Sequence, residues 1–153
     1  MISEVEPNWK QFAETYDALR LALAEVPDDR LHWKPGPQAT TVSEITQHIA
    51  RANRRYAAMI DGSAVTRPPL EEAPDRTRLL QLLAESEERV WRVFEALPAE
   101  DLHRKRADDW NPLGPDVEGP LDALWFAGQM VRHSAYHLGQ INYILRLLEG
   151  EGG

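Results

Sequence analysis

The stretch Gln129–Leu148, QMVRHSAYHLGQINYILRLL, decides the reading of the chain, because it sets His133 and His137 four residues apart within one helix-compatible run. At that spacing two imidazoles share a helix face about one turn apart, within reach of a single ion. At 100° per residue the segment separates into two stripes. One carries Asp122, Phe126, Gln129, His133, His137, Gln140, Ile144 and Leu147, polar in the middle and apolar towards the ends. The other carries Leu124, Val131, Leu138 and Leu145, a seven-residue repeat on nearly the opposite side. A helix apolar on two faces has to bury both. The bundle interior takes one, and another helix or a second subunit takes the other, so a homodimer is expected.

Burying imidazoles and carboxamides is costly unless each polar atom finds a partner. A third histidine, His48, sits in a separate amphipathic segment, Ser43–Ile60, close to the small residue Ala52. Two helices supplying nitrogen ligands two-plus-one would make a mononuclear divalent-metal site with open positions. Zinc, nickel, iron and cobalt all suit such ligands. The alternative is a histidine pair on a wet surface or bonded to backbone carbonyls; spacing and burial alone leave both open. No His-Glu-x-x-His is present, and no predicted helix carries Glu-x-x-His. A zinc-protease general base and a carboxylate-bridged di-iron bundle are therefore disfavoured.

Outward from this region, four helix-compatible segments alternate with proline-rich connectors, and no segment alternates as a strand would. The first covers Ser3–Glu25, with Trp9, Phe12, Tyr16, Leu19 and Leu23 at spacings of three or four, and Pro27 ends it. After the connector PDDRLHWKPGPQAT, a capping box formed by Thr41 and Glu44 opens the second, which ends at Asp61-Gly62. Pro68, Pro69 and Pro74 mark a loop, Asp75 caps the third helix, and Pro98 stops it. Ala99–Gly119 reads as the longest irregular stretch, and Pro120 suits the first position of a fourth helix running to Glu149 before Gly150. Helices of this size span roughly 30–45 Å. The fold class expected is all-α: a four-helix bundle with long connecting loops, one domain over residues 1–153. Those connectors exceed what an up-down bundle needs and could cross the bundle or cover a site mouth.

The chain has 153 residues, no cysteine and a formal charge of −8. The charge argues against a nucleic-acid partner. The densest basic group, Arg51, Arg54 and Arg55, reads as a solvated or ion-paired helix face. The start, MISEVEPNWKQF, has neither a basic n-region nor an apolar h-region, and no apolar run is long enough for a membrane. A cytoplasmic protein without membrane contact is expected.

Two stretches, EVPDDRLHWKPGPQATTVSEITQHIA and HSAYHLGQINYILRLLEG, resemble the DinB superfamily, which includes the YfiT-like proteins. The pattern is a proline-containing Leu-x-Trp connector, a helix with His, and a final helix with His-x-x-x-His-x-Gly-Gln. The resemblance spans nearly the whole chain. It implies a four-helix bundle, commonly dimeric, holding a divalent metal on three histidines. Carried over, these are His48, His133 and His137, with Gln140 as a polar neighbour. Relatives of this kind include enzymes that use low-molecular-weight thiols, as S-transferases or as a thiol-dependent isomerase.

The leading expectation is a metal-dependent thiol S-transferase, hydrolase or isomerase, in which the ion activates a thiol or water towards a small-molecule substrate. Gln140 would orient a second reactant or bond a neighbouring helix. Arg55, two turns beyond His48, would attract an anionic carboxylate or lie on the surface. Trp33 would close the pocket or anchor its connector, and Tyr136 would donate a proton or pack. Trp110 would serve as lid or staple, His32 and His103 would be solvated, and Trp125 and Tyr143 would pack. The alternatives are a non-catalytic metal- or small-molecule-binding bundle and a metal-free dimeric helical module.

Overall fold

A computed structural model describes residues 1–106 and 121–152. Among them are four α-helices and no strand: α1 (Glu6–Glu25), α2 (Val42–Asp61), α3 (Arg76–Ala96) and α4 (Ala123–Gly152), with short 3₁₀ turns at Asp28–Arg30 and Ala99–Asp101. The architecture is the expected all-α helical bundle. Its local causes can be named. Thr41 Oγ1 accepts from the Glu44 amide at 3.0 Å, while Glu44 Oε2 accepts from the Thr41 amide at 3.4 Å. This reciprocal cap is worth about 1 kcal/mol to α2. Gly62, at φ 76°, ends α2 in the left-handed conformation that glycine adopts without penalty. Asp75 caps α3 by accepting from the Arg78 amide at 2.8 Å.

Three boundaries differ from expectation. The first helix begins at Glu6 rather than Ser3, because Pro7 fits only a first turn, where its missing N–H is not required. The fourth begins at Ala123, where Asp122 Oδ1 accepts from the Trp125 amide at 2.8 Å; an aspartate cap sets this start. Pro120 and Trp110 lie outside the described residues. At its far end α4 passes through Gly150, and Glu151 pairs with Arg30 at 3.5 Å, tying the last turn to the segment after α1.

Contacts fix the helix directions. Trp9 meets Trp91 and Phe94, Tyr16 meets Ser86, and Arg76 reaches the carbonyl of Leu23, so α1 and α3 are antiparallel. His48 meets His133, Asn53 meets Ser134, and Tyr56 meets Gln129, so α2 and α4 are also antiparallel. Gln47 bonds the backbone of Glu71, Arg54 pairs with Glu85, and Asp61 pairs with Arg89, so α2 and α3 run parallel. The order is up-down-down-up. A parallel pair cannot be joined by a tight turn, and residues 62–75 travel back along α2 as a strap.

The core is built from Phe12, Tyr16, Leu19, Leu23, Ile49, Leu79, Leu83, Phe94, Phe126, Met130 and Ile141, all essentially solvent-free. Helix α4 packs on both α1 and α2. Of its seven-residue stripe, Leu145 is buried, and Leu124, Val131 and Leu138 pack partly buried against the core. Both faces thus find cover within one chain. Its outer face exposes Tyr136 and Tyr143; the latter, expected to pack, falls on the outward arc beside Arg146. No helix among the described residues is long and apolar enough to cross a membrane.

Candidate metal site

Helices α2 and α4 bring His48, His133 and His137 together, one nitrogen from each lying within 4.8 Å of the others. His133 Nε2 is central, 3.0 Å from His48 Nε2 and 3.1 Å from His137 Nε2. The middle of α4 carries a further contact: His137 Nδ1–H donates to Gln140 Oε1 at 2.6 Å. That bond fixes the tautomer, leaving His137 Nε2 as a lone pair aimed at His133.

Hydrogen bonds among the rings cannot satisfy this arrangement. If His133 Nε2 carries a proton for His137, it faces His48 Nε2 with the same single proton. If it accepts from His48 instead, two lone pairs confront each other across the His137 contact, and His133 Nδ1–H is left buried without a partner. A cation placed against all three nitrogens removes the conflict. Metal–nitrogen bonds of about 2.0–2.1 Å are compatible with neighbouring ligand atoms about 3 Å apart. The donor set fits a divalent ion.

The electrostatics favour the ligating form. Burial, then the charge on His137, then Arg55 and Arg51, push the His48 imidazole down from 6.5 to about 4. Burial, then His137, His48 and Arg55, push His133 down to about 3. Both rings are neutral at pH 7, with lone pairs available. The Tyr56 ring stands edge-on to His133 at 5.8 Å, and Gln129 Nε2 donates to the Tyr56 hydroxyl at 3.4 Å.

The other expected residues divide. Gln140, among the described residues, holds His137 on its own helix. Tyr136 is two-thirds exposed, with its ring 5.0 Å from that of His137 and nearly perpendicular to it. Trp33 packs partly buried against the core and makes no ring contact with the histidines among the described residues, so it anchors its connector. His32 is exposed; His103 is exposed too, with Nδ1 at 3.1 Å from Asp122. Of the three arginines, Arg54 is exposed and ion-paired as expected, and the other two depart. Arg54 lies 3.8 Å from Glu85, but Arg51 and Arg55 are half-buried without an acidic partner among the described residues, because the strap lies across this face of α2.

Sequence reading missed a second polar cluster, one residue from the histidines. Asn53 Nδ2 donates to Tyr16 Oη and to Ser134 Oγ, each at 2.9 Å, and Tyr16 Oη lies 2.8 Å from Ser86 Oγ. All four residues are fully buried, and each comes from a different helix. The signal was present: Asn53 and Ser134 interrupt the apolar arcs of α2 and α4.

Two solved structures share this fold. A conserved protein from Enterococcus faecalis superposes with a TM-score of 0.79 at 15% identity, covering 98% of this chain and 99% of its own. A DinB-like protein from Bacillus subtilis gives 0.68 at 16% identity, covering 94% and 92%. At such identities the likeness concerns the fold. No curated protein matches the chain. The DinB superfamily model matches residues 11–141, taking in all three histidines, and with four helices in the corresponding arrangement the chain belongs to that superfamily.

Proposed function

We propose that this protein is a metal-dependent enzyme of the thiol S-transferase, hydrolase or isomerase kind, with His48, His133 and His137 holding one divalent ion. The observation that carries the reading is the convergence of three imidazole nitrogens in a pattern that proton sharing leaves unsatisfied. An ion bound there would lower the pKa of a thiol or water, giving a nucleophile near neutral pH. The chain has no cysteine, so any thiol comes from a small molecule. Gln140 keeps His137 in the ligating tautomer. Tyr136 sets its ring edge-on to His137 at 5.0 Å, steadying that imidazole from outside. Arg55 adds positive charge that attracts a carboxylate.

Three protein ligands leave exchangeable positions, which favours catalysis over a closed structural site. The test is consumption of several biological thiols in the presence of electrophiles, comparing zinc-, nickel-, iron- or cobalt-loaded protein with His133→Ala. Near one equivalent of metal on untagged protein, and loss of turnover with retained helicity in the variant, are expected. Equal rates would overturn the enzyme reading, and an absence of metal would overturn the site. A homodimer belongs to the proposal, formed over the outer face of α4 that exposes Tyr136 and Tyr143. Light scattering on Tyr136→Ser/Tyr143→Ser should then report monomer; unchanged mass would exclude that face.

A further inference from the structure

Two arginines, Arg67 and Arg146, are exposed to solvent; the other twelve follow a rule with two exceptions among the described residues. Arg20, Arg30, Arg54, Arg76, Arg78, Arg89, Arg92 and Arg104 each lie within 4 Å of a carboxylate. Arg106 is satisfied by backbone carbonyls, and Arg132 stacks on Trp125 and bonds Gln129. Arg51 and Arg55 are half-buried, yet the Nε of each is sequestered without a hydrogen-bond partner, and among the described residues no carboxylate pairs with either. Two cations crowd together here in a chain that carries 25 acidic side chains to 17 basic. Leaving buried guanidinium donors unmatched is costly, and counter-charge was available in the sequence.

Position gives the pair a use. On α2, Arg51 follows His48 by three residues and Arg55 by seven, so both rise from the helix face that carries His48. Their charges act on His48, and that of Arg55 on His133 as well. Arg51 also lines a cleft of about 330 Å³ between α2, α3 and the strap, with Gln47, Arg54, Glu71, Arg78 and Leu82, and Arg55 lines a smaller cavity beside it with Arg54, Ser63 and Arg89. Arg78 is held there by Glu71 at 2.6 Å and Arg54 faces Glu85, which leaves Arg51 as the uncommitted cation. The size suits a small polar metabolite, since charged and polar side chains make up most of the lining.

We infer that Arg51 and Arg55 form an oxyanion subsite beside the three histidines, selecting a reactant that carries a carboxylate or phosphate. Guanidinium forks bind either group through paired charge-assisted hydrogen bonds. The two guanidiniums hold the anionic end, and a thiol or carbonyl on the same molecule is directed towards His48, one to two turns away on α2. This purpose rests on the metal reading, although anion binding itself does not require it.

Calorimetric titration of the full chain with succinate and, separately, with inorganic phosphate tests it, with and without zinc. Binding in the millimolar range or tighter is expected in the zinc-free protein, with Arg51→Met and Arg55→Met each about tenfold weaker or more. Arg51→Lys, which keeps the charge but loses the fork, should fall between the parent and Arg51→Met, and Arg92→Met on the exposed face of α3 should match the parent. Melting curves establish that the variants are folded. If neither anion binds the zinc-free protein, or if both methionine variants bind like the parent, the subsite is overturned. Anion binding that appears only with zinc and ignores Arg51→Met also overturns it, making the anion a metal ligand. Retained anion binding in a protein that takes up no zinc would sustain the subsite and remove the metal reading instead.

Discussion

Two polar clusters sit side by side between α2 and α4, and they are built on opposite principles. The Tyr16–Asn53–Ser86–Ser134 network joins four helices and is solvent-free, with its hydroxyls and the Asn53 amide nitrogen engaged at 2.8–2.9 Å. Burial pushes the Tyr16 hydroxyl up to about 12, so it stays neutral. The histidine cluster, half-open and contributed by two helices, ends in three nitrogens that face one another without enough protons to share. One cluster spends its polar groups on the fold, and the other holds them in reserve. Adjacent positions carry the two roles: Ser134 closes the network and His133 stands at the centre of the open site.

The contrast breaks most visibly in paired substitutions. Asn53→Ala should cost about 3 kcal/mol of unfolding free energy, read by urea denaturation, because it empties buried volume and strands the Tyr16 and Ser134 hydroxyls. His48→Ala should change metal-free stability far less while lowering zinc affinity about a hundredfold or more, measured by competition with a chromophoric chelator. If His48→Ala proves as destabilising as Asn53→Ala without affecting zinc, the division is wrong. Gln140→Leu sharpens the comparison within the open cluster. It frees the His137 tautomer and should weaken zinc by about tenfold, with the helical spectrum unchanged.

The last test is in acid. His48 and His133 sit at about 4 and 3 in the fold, below their ordinary 6.5. Between those limits the unfolded chain binds more protons than the folded one. Their contribution is therefore complete above about pH 6.5 and declines as pH falls towards 4 and then 3. Metal-free protein should lose denaturation midpoint over that range, and His48→Gln/His133→Gln should flatten the loss.

Much of this was legible beforehand, and the reasons are local. The Thr41–Glu44 box, the Asp75 cap and the Gly62 stop depend on neighbours in sequence, and the structure has each as read. Spacing and burial left the meeting of His48 with the other two open, and the resemblance to the DinB superfamily supplied it. Helix directions were not readable, because connector length permits a crossing without stating that α2 and α3 run parallel. Asn53 hid inside an arc otherwise apolar, since its partners come from three other helices. Arg51 and Arg55 looked like surface charge; only the strap that lies over them changes their character.

That strap also limits how the chain tolerates change in length. From Asp61 to the level of Gln47 it must recover about 20 Å of helix axis. It does so by Glu71, whose backbone is clasped by Gln47 on both its N–H and its carbonyl. Fully stretched, that many residues reach about 30 Å. Deleting about three would use up the slack and pull the clasp open, uncovering the arginine face, whereas insertions would cost little beyond loop entropy. Length variation here should be one-sided: additions accepted, shortenings refused.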